Sequence, residues 1–424
     1  MTRLAILGLG YVGLSVASSF RQAGRDIVGF DIDQRRIREI RAGLDATGQV
    51  EERLVKDLSG VVTNDPTLLA DCREWIVIVQ TGLMPDSEPD TRAVLRAAEI
   101  ISPMLKKGDL VVLSSTVPIG FTEGQFVLAL QKQSKLIAGE DFDLAFAPER
   151  FDPGNKENTL KTITKIISGL NARALARVRA LYQPVVNTMV EAASIKTAEA
   201  SRLLENVQRD MNIALLNDAS RIFKGWNIDT GDVLSVAQTK WNWLPFQPGL
   251  VGGHCIPVHS HYMRRAAVDA GVSPDLTTLI RKTTEAMPHR IVQTCLEALT
   301  RRGVTGQPTI TVMGVAYKEN VADVRGSAVI PLIRELTARG CDVQIIDPLA
   351  RDVDLRAIHA VQLTSPATLK PGDAVILAIP HKPFVEAGWA GLLPYLKNGV
   401  GLVIDLRRVL PRDQIPAVIE LWRL

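Results

Sequence analysis

The sequence predicts an α/β protein: two Rossmann-like, doubly wound parallel-sheet domains joined by a long central helix and a helical middle domain. Three observations predict it. Short apolar runs alternate with helical patterns at both ends of the chain, and a glycine-punctuated turn closes the first run. Between them, from about Ser194 to Lys224, no Gly or Pro interrupts a helical pattern.

The early runs are Leu4-Ala-Ile-Leu7, Ile27-Val-Gly-Phe30, Trp75-Ile-Val-Ile-Val79, Leu110-Val-Val-Leu113 and Leu144-Ala-Phe-Ala147. Runs this short and apolar suit strands covered on both faces, and their alternation with helices implies a parallel sheet. After Thr309 the pattern returns, in Thr309–Met313, Asp342–Ile346, Ala374–Ile379 and Leu402–Ile404, which read as four more parallel strands. The expected division is 1–190, 191–305 and 306–424. The second α/β part lacks the glycine fingerprint of the first, so the likeness is one of architecture.

Composition narrows the function. Lys and Arg exceed Asp and Glu by 49 − 46 = 3, too small and scattered an excess to argue for nucleic acid. The apolar run Leu4–Phe20 is broken by glycines and followed by a charged amphipathic stretch, which fits strand, turn and helix better than a signal peptide. No other stretch is long and apolar enough to span a bilayer. The four cysteines, Cys72, Cys255, Cys295 and Cys341, show no CxxC or disulfide rhythm. They indicate a reducing compartment, so a cytoplasmic protein is expected.

Gly8-x-Gly10-x-x-Gly13 lies where the first strand meets a helix. There the first Gly permits the turn, the second admits a pyrophosphate and the third lets helix pack on strand. Asp31, 18 residues beyond Gly13, ends the second strand. A carboxylate there accepts the ribose hydroxyls of NAD and repels the extra phosphate of NADP. Arg35 and Arg36 stand nearby, either as partners for such a phosphate or as solvated charges on a helix face.

Cys255 stands in Gly252-Gly253-His254-Cys255-Ile256-Pro257, a rigid loop whose small residues can admit a substrate. Such a thiol is a candidate nucleophile. The other three cysteines sit in apolar or helical patterns. His254, Cys255, His259 and His261 cluster closely enough to suggest zinc, but no second knuckle of ligands is apparent and no metal is expected.

At this point the chain resembles the UDP-glucose/GDP-mannose dehydrogenase family, most closely its branch that oxidises UDP-N-acetylhexosamines. The resemblance rests on Lys240-Trp-Asn-Trp-Leu-Pro-Phe-Gln-Pro-Gly-Leu-Val-Gly-Gly-His-Cys255-Ile. Ser115-Thr116-Val117, Ala147-Pro-Glu-Arg150, Glu205-Asn206-x-x-Arg209-Asp-x-Asn212-Ile-Ala and Tyr317-Lys318 follow the expected order. It implies oxidation of a sugar C6 alcohol to a carboxylate with two NAD, through a thiohemiacetal and a thioester on Cys255.

By resemblance Thr116 holds a catalytic water beside the nicotinamide, Glu149 is its general base, and Asn206 donates to the oxyanion. NAD binding is implied for Gly8, Gly10, Tyr11, Val12, Gly13, Asp31, Arg36, Thr81, Thr116 and Arg325. Binding of the UDP-sugar is implied for Glu149, Arg150, Arg202, Asn206, Phe246, Gly252, Lys318 and Arg407. The long central helix would otherwise expose an apolar stripe, so a homodimer or higher homo-oligomer is expected.

The pattern breaks at two catalytic positions. Arg202 stands where the family has a lysine, and its guanidinium keeps the charge without readily giving up a proton. His259 stands where the family has an aspartate; as a neutral imidazole it could accept a proton, and protonated it would favour the Cys255 thiolate. Two further readings therefore stay open: a two-electron dehydrogenase, releasing aldehyde or oxidising another carbon, and a non-catalytic binder of NAD and nucleotide-sugar.

Overall fold

A computed structural model describes residues 2–150, 157–253 and 255–424. Its internal contacts divide the chain into two compact units. One comprises the residues up to Glu205 with His261–Ser273, the other Asn206–Ser260 with Pro274–Leu424. The dividing point falls inside one helix, Ile195–Gly225, which realises the uninterrupted stretch of the sequence.

The first unit is built on β1 (Leu4–Leu7), β2 (Ile27–Phe30), β3 (Val62–Thr63), β4 (Glu74–Val77), β7 (Leu110–Leu113), β8 (Asp143–Phe146), β9 (Lys165–Gly169) and β10 (Met189–Glu191). A two-stranded ladder, β5 (Gly82–Leu83) with β6 (Pro89–Asp90), stands apart from the sheet. The sheet order is β10-β9-β8-β7-β4-β1-β2-β3. Alternate residues of β1 enter different cores, Leu4 and Ile6 one, Ala5 and Leu7 the other, because helices cover both faces.

The sheet departs from the all-parallel expectation at one place: β9 runs antiparallel to β8. From β3 to β8 the strands are parallel and in step. Leu7 lies opposite Phe30 and Val77, Val77 opposite Leu113, and Leu113 opposite Phe146. Gly8, Asp31, Ile78, Ser114 and Ala147 therefore form a row along one sheet edge. The order reverses between β1 and β4, and ligands of open α/β sheets bind outside the carboxyl ends at such a switch point.

The second unit carries β11 (Thr309–Met313), β12 (Asp342–Ile346), β13 (Ala374–Leu377), β14 (Gly401–Asp405) and β15 (Ile419–Arg423), all parallel, in the order β12-β11-β13-β14-β15. The fifth strand, Ile-Glu-Leu-Trp-Arg, carries charged residues at two of its five positions and only its first residue is buried, so a search for apolar runs passes over it.

The turn after β11 repeats that after β1 despite the missing fingerprint. Gly8 has φ +96° and a Cβ there would lie 2.2 Å from the carbonyl oxygen of Ile78; Gly314 has φ +86° and its Cβ would lie 2.4 Å from that of Ile379. The Gly8 N–H donates to Phe30 O and the Gly314 N–H to Ile346 O, both at 2.8 Å. Only a residue without a side chain fits either position.

Candidate active site

In the first unit the glycine turn passes from β1 into α1 (Tyr11–Gln22). A Cβ on Gly13 would lie 1.8 Å from Gly8 O, whereas one on Gly10 would meet nothing within 4 Å. The backbone at Gly10 is thus open to an approaching phosphate, with Tyr11 and Val12 in the first turn of the helix behind it. Asp31 accepts the Leu9 N–H at 2.8 Å and the Asp33 N–H at 2.9 Å, which fixes its half-buried carboxylate beside that turn. This cradle fits the diphosphate and adenine-side ribose of NAD.

Arg36, in α2 (Gln34–Arg41), is neither a solvated charge nor turned outward. Its side chain is buried; Nε donates to Leu9 O at 2.8 Å and Nη2 to Asp45 Oδ1 at 2.8 Å, so it braces the glycine turn from beneath. Burial opposes ionisation of Asp45, but hydrogen bonds from Thr47, the Val50 N–H and Arg36 outweigh it and hold the carboxyl below its ordinary value. Because the folded-state value is the lower one, this stabilisation is fully present above the unfolded value of about 3.9 and is lost as pH falls through the folded one. Asp45→Asn removes it. The variant's unfolding midpoint should therefore fall less than the wild type's between about pH 5 and pH 3; equal acid sensitivity in a pH series of thermal melts would locate the effect elsewhere.

Thr116 follows the carboxyl end of β7, half-buried, and its carbonyl accepts the Thr81 hydroxyl at 2.9 Å. Glu149 follows the carboxyl end of β8. Its carboxylate is hydrogen-bonded to the Lys165 ammonium, with both side chains buried. Lys165 also donates to Pro148 O at 3.2 Å and lies 4.5 Å from the centre of the Tyr182 ring. Burial pushes the Lys165 ammonium down, Glu149 pulls it up, and Arg202 and Arg150 push it down further.

Sequence reading passed over Lys165 because a lysine heading an apolar run looks like a solvated strand end. Its pairing arises only where β9 turns back against β8. Arg150 does not pair with its neighbour Glu149; it reaches Glu205 at 2.8 Å, and Arg202 reaches the other oxygen of the same carboxylate at 3.4 Å. Three cations and two carboxylates thus form one positively balanced cluster.

In the second unit Cys255 immediately precedes the helix Ile256–Asp269 and is exposed, whereas Cys72, Cys295 and Cys341 are buried. The amino end of a helix favours negative charge placed beside it. His254 lies outside the described residues. His259, one turn along, is buried, and its Nδ1 lies 2.7 Å from the Asn206 amide nitrogen. An amide nitrogen only donates, so Nδ1 accepts and Asn206 gives one of its two N–H groups to this contact. Ser260 and Arg281 both bond to the buried carboxylate of Asp210, at 2.7 and 2.9 Å, fastening the cysteine helix to the long helix.

The loop before the cysteine is fastened as firmly. The buried Asn217 amide exchanges two hydrogen bonds with the Gly249 backbone, at 3.0 and 2.8 Å. A Cβ on Gly249 would lie 3.1 Å from Arg407 Nη1, which places that guanidinium over the loop. Gly252 leaves little room for a side chain: a Cβ would lie 3.1–3.3 Å from the backbone at Gly326, Ala328 and Tyr317. Gly253 N donates to Gly326 O at 2.9 Å. The cysteine loop is therefore laid backbone to backbone on the loop that carries Lys318. Phe246 is half-buried at the other end of the cysteine loop. Arg325 forks onto Asp323, with Nε and Nη2 contacts of 2.9 and 2.8 Å. Among the described residues no group of three His, Cys, Asp or Glu side chains could hold a metal ion.

Three family models match the chain in sequence. They are the NAD binding domain of the UDP-glucose/GDP-mannose dehydrogenase family over residues 2–186, its central domain over 196–286 and its UDP binding domain over 311–412. Protein CapL of Staphylococcus aureus is 36% identical over 423 residues, covering 99% of each chain. A UDP-N-acetyl-D-glucosamine 6-dehydrogenase of Pseudomonas aeruginosa is 37% identical over 417 residues, covering 97% of this chain and 98% of its own. Among solved structures, a UDP-D-ManNAc dehydrogenase from Pyrococcus horikoshii superposes with a TM-score of 0.88 at 27% identity, over 99% of this chain and 98% of that one.

Proposed function

The chain belongs to the UDP-glucose/GDP-mannose dehydrogenase family, and from that premise we propose that it oxidises C6 of a UDP-N-acetylhexosamine to the carboxylate through covalent catalysis by Cys255. It is an NAD-dependent UDP-sugar 6-dehydrogenase. The observation that carries the covalent step is the placement of its one exposed thiol among the four, at a helix amino end and on a loop packed against the Lys318 loop.

NAD, when bound, accepts the hydride lost from C6 in each of two oxidations. The protein's own groups do the rest. Thr116 holds a water beside the reacting carbon. Cys255 adds as thiolate to the aldehyde, giving a thiohemiacetal; the roles the resemblance implies for its oxyanion are a hydrogen bond from the second N–H of Asn206 and positive charge from Arg202. After the second oxidation Glu149 takes a proton from the water that cleaves the thioester and frees Cys255. Arg202 supplies charge but does not readily give up a proton, so moving one falls to His259, held by Asn206. Lys318 and Arg407 hold the nucleotide-sugar, joined by Phe246, Gly252 and Arg150; Thr81 and Arg325 complete the NAD contacts.

The test is NADH formed per sugar consumed across a panel of UDP-hexoses and UDP-N-acetylhexosamines. Two per sugar, with a UDP-N-acetylhexosamine preferred, is expected. One would make the protein a two-electron dehydrogenase, and none despite measured binding would make it a non-catalytic binder.

The working form is proposed to be a homodimer or higher homo-oligomer. Leu204 and Leu215 along the long helix and Trp226 just past its end recur every eleven residues, with Met211 and Ile222 between them, and all are exposed. Eleven residues complete three helical turns, so this is one continuous apolar stripe. All four cysteines are unpaired, which supports a reducing, cytoplasmic setting. No helix among the described residues is long and apolar enough to cross a membrane.

A further inference from the structure

At the end of β12 the second unit places Asp347 where the first places Asp31 at the end of β2, one residue past the carbonyl that receives the turn glycine's N–H. The two carboxylates meet different surroundings. Asp31 is half-buried at the sheet edge, whereas the Asp347 side chain is sealed, fully buried against an equally buried His381. His381 Nε2 lies 3.0 Å from Asp347 Oδ2. The same carboxylate accepts N–H groups of Val315 at 2.7 Å, Ala316 at 3.2 Å, Leu349 at 2.9 Å and Ala350 at 2.8 Å. Burial alone would raise its pKa, but His381 and the backbone donors outweigh that and hold it below the ordinary value.

The other ring nitrogen defines what the pair is for. His381 Nδ1 accepts the N–H of Asn320 at 2.9 Å, so Nδ1 carries no proton and the ring's N–H points at Asp347. Asn320 holds φ +60°, unusual for a residue with a side chain, and its Oδ1 accepts the Lys382 N–H at 2.8 Å. Lys318 lies between these anchors. The segment Gly314–Asn320 is tied at its start to Ile346 and Asp347 and at its end to His381.

We propose that His381 is a positioning residue for the nucleotide-sugar: through the buried chain Asp347–His381–Asn320 it fixes the turn that presents Lys318 to the substrate. The carboxylate position that serves a ribose in the first unit is here converted into the support of a lysine-bearing loop. This inference rests on the reading of Lys318 as a substrate-binding residue.

The full-length enzyme and three replacements separate the parts of the chain. The Asn side chain can place an oxygen near the position of Nδ1 and still receive the Asn320 N–H; the Gln side chain can reach Asp347 but leaves Asn320 unanswered. His381→Asn should keep KM for the UDP-sugar within about threefold of wild type, while His381→Gln and His381→Ala raise it at least about tenfold. In all three the KM for NAD should stay within about twofold and kcat fall by less than KM rises. Lys318→Ala, assayed beside them for UDP-sugar binding by calorimetry, tests the reading beneath the proposal: unweakened binding there would show that Lys318 does not hold the substrate. If Lys318→Ala weakens binding but His381→Gln and His381→Ala, folded by circular dichroism, leave the sugar KM unchanged, the positioning role is wrong. An equal rise in both KM values would reduce His381 to a general structural residue and overturn it as well.

Discussion

Cys255→Ser is expected to stop uronic acid formation, with a fall of at least about a thousandfold, while NAD affinity stays within about twofold of wild type. The serine alcohol has the right shape but is hardly ionised at neutral pH, so the aldehyde of the first oxidation finds no nucleophile. One NADH per sugar, with free aldehyde trapped by an amine reagent, is the product pattern that follows. No other thiol can substitute. Burial pushes Cys295 up to about 12 and Cys72 up to about 11, and Cys341 is also raised by burial. Acid appearing at the wild-type rate would remove the covalent step from the mechanism and leave oxidation of an aldehyde hydrate.

Glu149→Gln produces a different failure. The amide keeps the shape but cannot take a proton from water, so both oxidations proceed and the thioester persists. The measurement is a rapid-mixing experiment: a burst of two NADH per active site, then a steady rate lower by roughly 10²–10⁴-fold, the usual worth of a positioned general base. Intact-protein mass should show the chain carrying the UDP-uronyl group, lost when Cys255 is also replaced. A slow first NADH with no burst would move Glu149 to the first oxidation. Lys165→Met is the poorer probe of the same base: it leaves a buried carboxylate without its cation, a loss of about 3–5 kcal/mol in stability that would mask the chemistry.

Much of this architecture is legible in the residues. The strands Leu4–Leu7, Ile27–Phe30, Leu110–Leu113, Thr309–Met313 and Asp342–Ile346 begin and end where the apolar runs do. Once those strands are placed, Thr116 and Glu149 fall at carboxyl ends without further information. What stays hidden depends on the return of the chain upon itself. Lys165 meets Glu149 only because β9 turns antiparallel, and Arg36 looks solvated until the Asp45 loop folds over it. Met189–Glu191 and Ile419–Arg423 are strands at sheet edges, where one face is wet and the apolar signal is halved. The unit boundary inside a continuous helix leaves no mark in composition at all.

The sealing of Asp347 by His381 has a kinetic consequence. Among the described residues, the chain offers one strand-end carboxylate suited to a ribose diol, not two, although the proposed reaction extracts four electrons from each sugar. The enzyme must therefore exchange spent for fresh oxidant midway, with its half-oxidised guest still aboard. In the proposed mechanism, the bond from the Cys255 sulfur to the sugar carbon is what would keep that guest from leaking away while the exchange occurs.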